Sequence, residues 1–195
     1  MDETTFPFSR KVLDRANTIE FSHVDLMPSA NEPIPPAAPQ ELSNAFLKTE
    51  YLLLTHCAED AEIVSQYCSE LQSINNILQK AMAHVGFRVR DEIVFYLLNN
   101  NKSGLLTEEQ AMDNEIMQKI LPRIQGSSSS VKRMLCELFK HCAGDYNGYQ
   151  TDNNDISAEM ALAVQRPDCK YKHSAEKIAF MVRRYEEDGF TSYWL

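Results

Sequence analysis

Ile63-Val64-Ser65-Gln66-Tyr67-Cys68-Ser69-Glu70-Leu71-Gln72-Ser73-Ile74-Asn75-Asn76-Ile77-Leu78-Gln79-Lys80-Ala81-Met82 decides how this chain folds. Within it Ile63, Tyr67, Leu71, Ile74, Leu78 and Met82 recur every three or four residues, which gathers them on one face of a long helix. A strand cannot hold that pattern, because its side chains alternate with a period of two. A helix with a single apolar face needs partners, and the sequence on either side supplies them.

Downstream, Gly86 ends this helix, and Arg90 to Leu98 reads as the next one, stopped by a turn over Asn99 to Gly104. Thr107 with Gln110 three residues later forms a capping box, the usual opening of a helix. Met112, Ile116, Ile120 and Ile124 continue that helix, with Pro122 set to kink or end it. Gly126 and the four serines Ser127 to Ser130 read as a polar loop. The stripe Val131, Met134, Leu135, Leu138, Phe139 and Cys142 follows. Residues 144–158 are turn-rich and read as a flexible loop, about 143–158. Ser174 is placed to cap a last helix with Ile178, Met181, Val182 and Tyr185 on its buried side. Gly189 ends that helix, and Phe190 to Leu195 form an apolar tail that docks on a neighbouring surface.

Upstream, Leu42 to Leu54 is a candidate first helix of the bundle. Residues 27–40 hold five of the eight prolines and read as an extended linker. Before it, Phe8 to Leu13 suggests a short helical turn and Thr18 to Phe21 a single strand. A lone strand needs a sheet to join, so residues 1–26 are expected to fray, with Ile19 and Phe21 exposed or packed on the bundle. The expected fold is mainly α: a helical bundle over 41–195, after a short α/β remnant with one strand over 1–26.

The 195 residues carry 44% hydrophobic and 24% charged side chains, enough for one sizeable core. No apolar run reaches the roughly 20 residues that span a bilayer. Met1-Asp2-Glu3 is acidic and opens no signal core, so a cytoplasmic location is expected and no membrane contact. The five cysteines show no C-x-x-C spacing; Cys136 and Cys142 flank His141 without an evident fourth ligand, so reduced thiols are expected. A net charge of −9 argues against direct DNA binding, which needs clustered Lys and Arg. Asp152 to Asp155 resembles a calcium loop only superficially, lacking its spacing and closing glutamate.

The sequence contains no phosphate loop, no dinucleotide-binding glycine turn, no nucleophile elbow and no zinc-protease helix. Two arginine-bearing segments could instead deliver chemistry to a partner. Arg10 and Arg15 sit where a helical turn leads into the strand, and Arg88 and Arg90 open a helix after Gly86. Arginine suits both places, since its charge is permanent and its planar fork matches phosphate oxygens. The plain alternative is that Arg88 or Arg90 pairs locally with Asp91 or Glu92.

The run S-R-K-V-L-D-R-A-N-T-I-E-F, Ser9 to Phe21, resembles the segment that follows the first sensor strand in McrB-like AAA+ proteins. G-F-R-V-R-D-E-I (Gly86 to Ile93), I-L-P-R-I-Q-G (Ile120 to Gly126), S-A-E-K-I-A-F-M (Ser174 to Met181) and G-F-T-S-Y-W (Gly189 to Trp194) are similar to that family's lid, in the same order. Stretches 27–60 and 143–172 have no such likeness. The resemblance implies that Arg15 is an arginine finger reaching a neighbouring subunit's nucleotide, with Arg10 as the fallback. It implies that Arg88 is the second sensor on the nucleotide phosphates, with Arg90 as the alternative. It further implies ATP or GTP with Mg²⁺ in the complete parent protein, and no cofactor bound by this chain alone. The implied partners are an N-terminal AAA+ core, neighbouring ring subunits and a nuclease of a DNA-restriction system. The phosphate loop, metal-binding strand and first sensor are expected upstream of Met1, so whether the chain counts as an enzyme stays open and no turnover is expected from it alone. A reading of another class remains: an all-helical acidic module that binds protein partners.

Overall fold

A computed structural model describes residues 8–21, 38–39, 41, 43–45, 48, 51–144 and 155–194. Most of the linker, and the acidic cluster up to Asn154, lie outside the described residues. The fold is mainly α.

The deciding stretch forms α2, Ala61–Gln79, which buries Tyr67, Leu71, Ile74 and Leu78 as its spacing requires. It stops short of the expected end. Met82 lies beyond the helix with φ +54°, a left-handed conformation costly for a residue with a Cβ, and is exposed. Gly86 opens the next helix instead of closing this one. That helix, α3, spans Phe87–Ser103 and absorbs the asparagines expected as a turn; Gly104, left-handed, ends it. Asn100 explains the extension. Its side chain donates to Leu106 O and accepts from Leu106 N, both at 3.0 Å, so it folds the exit from inside the last turn.

The capping box forms as read: Gln110 N donates to Thr107 Oγ1 and Thr107 N to Gln110 Oε1, opening α4, Glu108–Glu115. The backbone then widens into a π turn over Ile116–Ile120 and tightens into a 3-10 turn over Leu121–Arg123, where Pro122 ends the helix. Ser129 and Ser130 belong to α5, Ser129–Ala143, rather than to the loop, and Ser128 caps it through Val131 N. Helix α6, Ile156–Val164, was not legible in the sequence, because its apolar residues carry almost no polar counter-face. The last helix, α7, spans Lys172–Asp188, is closed by Gly189, and packs between α5 and α6. Ser174 does not cap it. Asp113 does so from α4, accepting His173 N at 2.9 Å and Ser174 N at 2.8 Å.

Leu42 to Leu54 forms no α-helix among its described residues; the first helical turn of the bundle is a 3-10 stretch, Leu54–Asp60, which starts at the last of them. The expected strand at Thr18 to Phe21 is also absent. Those residues have no strand pairing and no regular structure, after the one-turn helix α1, Arg10–Leu13. The sheet among the described residues is elsewhere: β1, Gln125–Gly126, pairs antiparallel with β2, Thr191–Ser192. This clasp docks the apolar tail as expected, with Tyr193 buried and Trp194 packed against the core.

Residues 8–21 lie along the bundle as a strap. Leu13 is buried, Phe8 meets Trp194 edge-on at 6.3 Å, and Lys177 pairs with Glu20 at 2.8 Å. Thr18 N donates to Gln118 O in the π turn. Ile19 and Phe21 stay 66% and 90% exposed.

Candidate functional site

The approach to α3 is set by Asn75. Its Oδ1 accepts Val85 N at 2.7 Å and its Nδ2 donates to Val85 O at 3.4 Å, which fixes the turn ahead of Gly86. No side chain caps α3, and its first turn contains no acid. It carries Arg88, whose charge opposes the positive end of the helix dipole. Arg88 is exposed, and no ion pair or hydrogen bond holds its side chain among the described residues. Arg90 differs. It pairs with Asp91 at 2.6 Å and lies over the Phe87 ring at 4.9 Å, so the local ion pair open to either arginine forms at this one. Arg90 faces a groove of about 350 Å³ lined also by Cys68, Asn75, Gly86 and Phe87.

On the strap, Arg10 donates to Met82 O at 3.0 Å and is occupied by that contact. Arg15, directly beyond α1, is exposed and has no side-chain partner among the described residues. It lines a second pocket, of about 420 Å³, with Asn17, Tyr51, Glu92, Phe95, Tyr96, Glu115 and Lys119. The strap is also held by Arg123, which is buried. Arg123 pairs with Asp14 at 3.2 Å and donates to His84 O at 3.3 Å.

The floor of the pocket carries an unusual charge arrangement. Lys119 is 4% exposed and is bonded to Glu92. Glu115, one π turn away, is 1% exposed, and its Oε2 has no hydrogen-bond partner. Burial pushes its carboxyl up to about 7; Lys119 pulls it down and Glu92 pushes it further up. Sequence reading missed Glu115 and Lys119, because Glu-x-x-x-Lys spacing is also that of a solvated ion pair, and it offered Glu92 to Arg88 or Arg90 rather than to Lys119. The available signal was that Met112, Ile116 and Ile120 flank Glu115 and Lys119 closely in the sequence, which leaves that helix little polar face.

A second charged cluster joins α2, α5 and the lead into α7. Glu70 Oε1 accepts from Tyr171 at 2.6 Å and Lys170 at 2.8 Å, and meets His141 Nε2 at 3.1 Å. His141 is thus engaged with a carboxylate rather than with Cys136 and Cys142. All five cysteines are free. No group of His, Cys, Asp and Glu able to hold a metal occurs among the described residues.

Of the four arginines in the two candidate segments, Arg15 and Arg88 are thus unpaired, at separate exposed sites, one lining a pocket with a buried carboxylate and one at an uncapped helix start. This is a helical domain with an arginine-bearing strap. A family model described as a domain of unknown function, DUF8727, matches residues 37–190, and the chain belongs to that family. The match takes in the bundle with Arg88 and Arg90 and leaves Arg10 and Arg15 outside it. No curated protein and no solved structure matches the chain. No described helix is long and apolar enough to cross a membrane.

Proposed function

We propose that this chain is the arginine-finger and lid portion of a McrB-like AAA+ motor of a DNA-restriction system, working in the cytoplasm. The observation that carries the reading is the start of α3. An uncapped N-terminus with an unpaired arginine in its first turn is electrostatically unfavourable alone and favourable once an anion occupies it. A nucleotide phosphate is such an anion, and Arg88 is the residue the lid resemblance assigns to it. Arg90, held by Asp91, stays the alternative. Arg15 has the exposure and freedom a finger needs, while Arg10, tied to Met82, is the weaker candidate. Exposed Ile19 and Phe21, on a segment without strand pairing, are available to a sheet contributed by a AAA+ core. ATP or GTP and Mg²⁺ belong to that core, and the nuclease and neighbouring ring subunits complete the assembly.

The acidic interaction module is the second reading, favoured by a family match that takes in the bundle and omits the strap. Two experiments separate them. Tripolyphosphate titrated into the chain should shift the amides of Phe87 to Val89, and Arg88→Ala should abolish this. With a McrB-like AAA+ core that carries a phosphate loop, the chain should raise hydrolysis of ATP or GTP, and Arg15→Ala should remove about 10³-fold of it. Turnover by the chain alone that survives Arg15→Ala and Arg88→Ala together would end the proposal.

A further inference from the structure

Arg15 and Glu115 line one pocket; Glu115 Oε2 has no hydrogen-bond partner, and the Arg15 guanidinium has no ion pair or hydrogen bond among the described residues. Glu115 is almost wholly buried and Arg15 is exposed at the rim. The other charged groups in the pocket are committed to each other, Lys119 to Glu92. Phe95 and Tyr96 add aromatic wall, and Tyr51 stacks on Phe95 at 5.9 Å. Asn17 supplies an amide. A buried carboxylate in a pocket with aromatic lining suits a planar cation, which a carboxylate binds by charge and hydrogen bonding and aromatic rings by their faces.

We propose that this pocket is a guanidinium receptor whose occupant is the side chain of Arg15, which alternates between the exposed position and a parked position paired with Glu115. The proposal rests on the finger reading for its purpose: parked, Arg15 is withdrawn from a neighbour's nucleotide; released, it is available. Other nearby cations are already engaged. Arg10 is bonded to Met82 O, Arg123 faces Asp14, and Lys102 sits over the Tyr51 ring at 4.8 Å while pairing with Asp60. Parking also gives Glu115 Oε2, buried without a hydrogen bond, a donor. The groups that face Glu115 are Lys119 on the π turn, Glu92 and Tyr96 on α3, and Arg15 and Asn17 on the strap. Of these, Arg15 alone is an unengaged cation.

The test follows the Glu115 side-chain carboxyl by ¹³C NMR through a pH titration of the whole chain. Arg15→Ala should raise its midpoint by about one pH unit, because the parked guanidinium favours the charged carboxylate. Methylguanidinium added to the Arg15→Ala chain should bind saturably and restore the lower midpoint. Glu115→Gln should abolish that saturable binding; if this variant does not fold, the comparison of wild type with Arg15→Ala stands alone. An unchanged midpoint in Arg15→Ala, or methylguanidinium uptake without saturation, overturns the proposal. No nucleotide enters this experiment, so its failure is separate from failure of the motor reading, which is read at Arg88 with tripolyphosphate.

Discussion

Two glutamates give the chain opposite responses to acid. Three donors hold Glu70 well below the usual carboxylate range, the His141 hydrogen bond contributing most, so its folded form binds a proton less readily than its unfolded form. Its stabilisation is present above the unfolded midpoint and is lost as pH falls below it. Glu115 is raised to about 7 by burial, so it favours the folded state while protonated. That advantage is lost as pH rises from the unfolded value of about 4.3 toward 7, on the order of 3 kcal/mol. Stability in chemical denaturation should therefore peak near about pH 5, and Glu115→Gln should flatten the decline on the alkaline side. Glu70→Gln should cost about 2 kcal/mol at neutral pH, measured the same way, because Tyr171, Lys170 and His141 lose their shared acceptor. Neither residue stood out in the sequence. A glutamate's environment is set by what distant segments bring to it, and Glu70 meets Tyr171 across 101 positions.

At the scale of elements, the legible features were those whose cause is local. The stripe in α2, the box at Thr107 and the stop at Gly189 each depend on residues within a turn or two; the box and the stop formed as read, and the stripe did so up to Leu78, short of Met82. Where the cause was tertiary the reading failed. Ser174 looked like a cap, but the cap of α7 comes from Asp113, and Ser174 Oγ instead donates to Asp113 O at 3.1 Å. Asp113→Ala should thus destabilise the chain by about 2 kcal/mol and increase amide exchange at the start of α7. Thr107→Ala, confined to its own helix, should cost about 1 kcal/mol and leave α7 protected. The strand expected at Thr18 did not form for a similar reason, since its alternation fits a sheet and the described residues offer it a carbonyl of the π turn instead. The arginines divide likewise: sequence located both segments, but only packing distinguished free Arg15 and Arg88 from engaged Arg10 and Arg90.

For the molecule as a whole, the strap is the part whose attachment is thinnest. One buried leucine, the Arg123–Asp14 pair and a few surface contacts hold it. Leu13→Ala should cost about 2 kcal/mol and remove hydrogen-exchange protection at Thr18, while the interior of α5 and α7 keeps its protection. Unfolding of the bundle in step with the strap would contradict that division. The π turn at Ile116–Ile120, which receives the strap's Thr18, carries a different implication. A π turn is the shape an α-helix takes when one residue is added and its flanks are not free to rotate. Deleting one residue there, Met117 for example, would return the segment to a regular α-helix with its flanks still in register, and would take away the widened turn whose Gln118 carbonyl receives Thr18. A shortened relative could thus keep a well-formed bundle and have no seat for the strap at Thr18, so gap positions in this turn would sort such chains by strap attachment better than substitutions do.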